Sequence, residues 1–153
     1  MSAHYDLMPL SDRAALPKQR LWLENMGLVL PDDWQKSRGP TAAEVRSVIS
    51  QLASESEVSI ETDFRVAGGD LEATIGAEQD STILSIDDYV KDCDEDTPRH
   101  LSFQYGDPEL VTLICERLAR LCGPFLLTNN GAYFVIVSAG TTSANANWVA
   151  DDF

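Results

Sequence analysis

The sequence predicts an α+β domain, a mostly antiparallel sheet of about five to six strands with two to three helices packed on one face. Three observations carry this. Two segments, near 41–55 and 107–122, repeat apolar residues with the period of a helix. Between and after them, apolar residues alternate with polar ones. The alternating segments come in pairs separated by hairpin-length turns, which antiparallel pairing requires and a doubly wound parallel sheet does not allow.

The elements follow in order. Residues 1–16 show little pattern and are expected to be irregular. Pro17 suits the first turn of a short helix that turns Leu21, Trp22 and Met26 inward and ends at Gly27. Thr41-Ala42-Ala43-Glu44 is a capping box, followed by Val45, Val48, Ile49, Leu52 and Ala53 on one face, so a helix is predicted from about 42 to 55. Val58, Ile60, Thr62, Phe64 and Val66 then alternate with Ser59, Glu61, Asp63 and Arg65. After the turn residues Gly68-Gly69-Asp70, Leu71, Ala73, Ile75 and Ala77 alternate with Glu72, Thr74 and Gly76. A third strand is predicted at Thr82–Ile86 and a fourth around Leu101, Phe103 and Tyr105. Asp107-Pro108-Glu109 opens a second long helix, and Gly123-Pro124 closes it. Phe125–Thr128 and Tyr133–Ser138 flank the hairpin signal Asn130-Gly131. The tail, 141–153, is expected to be irregular, with Trp148 and Phe153 available to dock it. No repeat or long linker divides the chain, which reads as a single domain over 1–153. Clean alternation implies a second sheet face, carrying Glu61, Asp63, Arg65 and Glu72, that is at least partly solvated.

Charge narrows the function. The 153 residues carry 25 acids against 11 lysines and arginines, a formal net charge of −14. That field repels nucleic acid and anionic membranes. No basic stretch precedes an apolar core near the N-terminus, and no apolar run reaches membrane-spanning length. Three cysteines without a signal peptide suggest reduced thiols, so a cytoplasmic location is expected. Cys115 and Cys122 are seven positions apart on one helix, about 10 Å along its axis, too far for a disulfide.

Motifs for catalysis are missing. His4 and His100 have no metal-ligand spacing, and read as an exposed tail histidine and a strand-edge histidine. Cys115 lies on the apolar stripe, Cys122 at a helix C-terminus and Cys93 between two aspartates, none of which favours a thiolate. Gly68-Gly69 leads into a strand and not into a phosphate-binding helix. Ser138 offers no partners for a triad. Lys18, Lys36 and Lys91 lie in no apolar pattern that would depress their pKa. Asp92, Asp94 and Asp96 have the opening spacing of a calcium loop, but Thr97 and Phe103 stand where that loop needs glycine and glutamate. No catalytic, cofactor-binding or metal-ligating residue is therefore expected.

The charge is uneven along the chain. Residues 58–98 hold twelve acids against Arg65 and Lys91, net −10 of the total −14. Concentrated like charge costs stability by self-repulsion and makes sense where something basic docks. The candidate partner-binding residues are Glu61, Asp63 and Glu72 on the sheet with Asp87, Asp88, Asp92, Asp94, Glu95 and Asp96 in the following loop. Tyr89 and Trp34 are candidate aromatic anchors. The competing reading of these residues is a solvated acidic surface, with ordinary packing for the two aromatics.

The stretch from Pro108-Glu109-Leu110 through Leu118-Ala119-Arg120-Leu121-Cys122-Gly123-Pro124-Phe125-Leu126-Leu127 to Tyr133-Phe134-Val135-Ile136-Val137 resembles the closing helix–strand–strand of small bacterial immunity proteins. Those are encoded beside polymorphic toxins of contact-dependent or type VI secretion systems. The resemblance covers the last third of the chain and carries over no functional residue. It implies a cytosolic protein that binds one cognate toxin with a basic surface and blocks its active site. An acidic adaptor or secretion chaperone is the alternative class, and an enzyme using paired carboxylates a third.

Overall fold

The computed structural model describes residues 3–151. Strand β1 (His4–Pro9) leads into a four-residue helix α1 (Leu10–Arg13) and then α2 (Pro17–Asn25) and α3 (Ala42–Ser54). Strands β2 (Ile60–Ala67), β3 (Asp70–Ile75), β4 (Thr82–Ile86) and β5 (Leu101–Gln104) follow, then α4 (Pro108–Cys122), β6 (Phe125–Asn129), β7 (Tyr133–Val137) and β8 (Val149–Ala150). The eight strands form one open sheet in the order β2-β3-β4-β5-β1-β6-β7-β8. Every neighbouring pair is antiparallel.

The α+β architecture and the predicted strands stand where expected, except that Tyr105 lies past the end of β5, exposed at φ +64°, and the sheet has more strands. The N-terminal segment expected to be irregular supplies the central strand. β1 pairs with β5 on one side and β6 on the other, Tyr5 opposite both Phe103 and Asn129. Only Tyr5 and Leu7 carry its apolar pattern, too short a run to register against His4, Asp6 and Pro9. The expected irregular tail also contributes, because Val149 pairs with Phe134 in β8. Trp148 packs against the main core, while Phe153 lies outside the described residues.

Two apolar clusters take alternate residues of β6 and β7. Phe125, Leu127, Val135 and Val137 join the main core with Val45, Ile49 and Leu52 of α3 and Ile114, Cys115 and Leu118 of α4. Leu126 and Phe134 join a smaller cluster with Leu10 of α1 and Leu23 of α2. Side chains two apart on a strand share a face, so the clusters lie on opposite sides of the sheet. The expectation that helices cover one face is corrected accordingly: the short N-terminal helices cover the other. In α2 the buried residue is Leu23, while Leu21 is exposed.

Helix α3 starts as its sequence dictates. Thr41 accepts from Glu44 N, and the Glu44 carboxylate accepts from Thr41 N. That carboxylate also takes both arms of Arg38 at 2.6 and 2.7 Å. β2 is the outer strand, and its pairing with β3 is interrupted by two register shifts. Its apolar side is only partly covered, Val66 being 57% exposed and Ile60 39%. Bulges and charged residues are what keep such an edge from pairing with other chains.

Candidate functional site

The chain segment richest in acids becomes the β2 end of the sheet, β2, β3 and β4 with the loops at either end of them. At one end lies the loop 87–99, beside the β2–β3 turn through the bond from Val90 N to Gly69 O. At the other end, the 76–81 turn meets the start of β2 and the first turn of α4.

The loop is organised around a cation. Arg99 has a side chain only 6% exposed. Its guanidinium donates to the Asp88 carbonyl at 2.9 Å, to the Asp94 carbonyl at 3.0 Å and to the Asp92 carboxylate. It also lies over the Tyr89 ring. Asp92 and Asp94 fold the chain back on itself by accepting from the N–H groups of Asp94 and Asp96, at 2.9 Å each. Those bonds hold both carboxyls below the usual aspartate range, with Arg99 adding to the effect at Asp92 and the Thr97 hydroxyl at Asp94. Glu95 bridges Arg46 of α3 and the Tyr89 hydroxyl at 2.8 and 2.5 Å, which raises the phenol's pKa. Its carbonyl accepts from Ala43 N at the start of α3.

The predicted partner-binding residues thus divide. Glu61 and Asp63 are exposed on the outer strand. Glu72 sits half-buried between Arg65 and Ser85 in the register. Asp87 bonds His100, and Asp92, Asp94 and Glu95 have the internal partners described above. Asp88 is exposed with Lys91 3.8 Å away, a weak pairing, and Asp96 is exposed. Tyr89 is a core residue that also holds Glu95, so it is not an anchor presented to a partner. Trp34 packs on the smaller cluster with Arg20 above its ring, at the opposite half of the sheet.

Two features were missed in the sequence. First, the two histidines are not separate. Insertion of β1 beside β5 places Asp6 between them, 3.4 Å from His4 Nε2 and 3.3 Å from His100 Nε2, while His100 Nδ1 lies 2.5 Å from Asp87. Both ring nitrogens of His100 face carboxylates. Ninety-six residues of separation hide this group. Among the described residues, no three or more His, Cys, Asp or Glu side chains are set to hold a metal ion. The thiols of Cys115 and Cys122 are pushed up by burial, Cys122 to about 12.

The second is an open cleft of about 360 Å³ at the other end of the strands. Glu57, Asp80, Asp107 and Glu109 line it, exposed, around Val58, Leu110 and Leu113. These three are half-buried and packed on the main core. Its walls approach closely because of two glycines. A Cβ on Gly76, at φ +102°, would lie 3.0 Å from Leu110 Cδ2, and one on Gly106, at φ +101°, would lie 2.7 Å from Thr82 Cβ. The local signal was the glycine before each wall, but nothing in the sequence brought Glu57 and Glu109 to one cleft.

The chain matches no protein-family model, no curated protein and no solved structure. No helix among the described residues is long and apolar enough to cross a membrane.

Proposed function

We propose that this chain is a non-catalytic binding protein that docks the β2 end of its sheet on a basic protein surface, as an immunity protein does on its cognate toxin. The observation that supports the reading is where the uncompensated charge lies. Glu57, Glu61, Asp63, Glu78, Asp80, Asp96, Asp107 and Glu109 are exposed, and among the described residues none has a cation within 4 Å, as is also true of Asp12, Glu24, Asp32 and Asp33. The first eight belong to the outer strand or to the loops and helix start at its two ends, and the other four lie in α1, α2 and the loop after α2. A solubilising coat does not require charge to be held together against its own repulsion. A basic partner supplies the missing countercharge and is steered to it. Of the sequence-derived candidates, Glu61, Asp63, Asp88 and Asp96 are the members open to such a partner. Asp87, Asp92, Asp94 and Glu95 shape the loop that presents them.

Co-expression with the product of the gene neighbouring this one tests the reading. The expected result is restored growth, with a complex that dissociates as salt rises. A raised level of the neighbour without relief of toxicity would place the chain among adaptors or secretion chaperones. No complex at low salt would overturn docking itself.

A further inference from the structure

Resting on that reading, we infer that the cleft between the start of β2, the 76–81 turn and the first turn of α4 receives a lysine or arginine side chain of the protein partner. A free cation needs only carboxylates, whereas this cleft adds an apolar floor. Val58, Leu110 and Leu113 form the floor, and Glu57, Asp80, Asp107 and Glu109 the rim. No basic residue lines it. Long basic side chains lay an aliphatic stem on apolar surface while keeping the charge in polar surroundings. The cleft offers both surfaces in that order, floor then rim.

The loop at the other end does not qualify, because its own Arg99 and Arg46 already occupy the equivalent position among the carboxylates. Asp107 is partly committed, since one of its oxygens caps α4 by accepting from Glu109 N at 3.1 Å. Glu57, Asp80 and Glu109 therefore supply most of the attraction. The floor residues make contact area that water fills poorly, so stem length as well as charge governs occupancy.

The test follows backbone amide shifts of the full chain at low ionic strength. The probe is a capped peptide of alternating glycine and arginine. Matched peptides carry citrulline, which has the stem without the charge, or diaminopropionate, which has the charge without the stem. The arginine peptide is expected to shift Ser59, Gly76, Ala77 and Leu110, and both matched peptides to bind at least about tenfold more weakly. The triple variant Glu57→Gln, Asp80→Asn, Glu109→Gln should lose about tenfold in affinity, while Asp96→Asn should keep it. Shifts centred on 87–96 or on β2 would overturn the cleft assignment and leave acidic docking standing. Shifts nowhere would overturn both. If spermidine reproduced the shifts while the arginine peptide did not, the cleft would be a site for free polyamines and the inference would fail.

Discussion

Both ends of strands β2, β3 and β4 are rich in carboxylates, and they are opposite in what they do with them. The loop 87–99 encloses Arg99 and leans on Arg46, so its acids close a turn and fix it to the start of α3. The cleft end has no cation of its own and is shaped instead by Gly76 and Gly106. The acids at the two ends are therefore two different things, and of the cleft rim only Asp80 comes from the net −10 stretch 58–98. One part is structural charge already satisfied, and the other is charge left open around an apolar floor.

Substitutions should separate the two ends, most strongly at Arg99. Arg99→Met removes the enclosed cation from three acceptors and is expected to cost about 3 kcal/mol in urea unfolding. A loss under about 0.5 kcal/mol would mean that the loop needs no internal countercharge. Gly106→Ala forces a Cβ into Thr82 at a positive φ and should cost about 2 kcal/mol, with the groove amides disturbed and the loop amides unchanged. Tyr89→Phe, which deletes the hydroxyl held by Glu95, is expected to cost about 1 kcal/mol in the same assay.

Acid should open the loop end first. Asp92 and Asp94 titrate below their ordinary 3.8 in the folded chain, so their stabilisation is complete above that pH and is lost as pH falls below it. Glu44, lowered from 4.5 to about 2 chiefly by Arg38, gives up its share across that interval. Protection of the Asp94 and Asp96 amides, taken against their intrinsic exchange rate at each pH, should fall below pH 4. Protection that is unchanged through this range would detach the loop from its carboxylates. The smallest effect is expected at the cleft, where Glu57→Gln with Glu109→Gln relieves repulsion. Stability should stay within about 0.5 kcal/mol of the parent, or rise slightly, as association with a basic partner slows.

Much of the fold was legible because its signals are local. The capping box at Thr41, the Asp107-Pro108 start and the Asn130-Gly131 turn each satisfy backbone groups within a few residues. β4 falls on the predicted residues because Thr82, Leu84 and Ile86 alternate without interruption. β1 was missed for the opposite reason. Its six residues gain stability only when β5 and β6 are already on either side, and that depends on contacts about a hundred residues away. The same insertion brings His4, Asp6 and His100 together. The smaller cluster beneath α1 and α2 escaped notice because Leu126 and Ile136 read as part of continuous apolar strands. Such a run is what burial on both faces produces.

By itself the sequence determined the acidity, the boundaries of α2, α3 and α4, the hairpins and the lack of any recognised catalytic motif, since each is written in composition or within a few neighbouring residues. Only the tertiary structure decided which carboxylates are spent and which are open. Charge pairing depends on distances of a few ångströms, and the chain sets those by folding Arg99 into its loop and bringing Glu57 and Glu109 to one cleft, not by the order of residues along it.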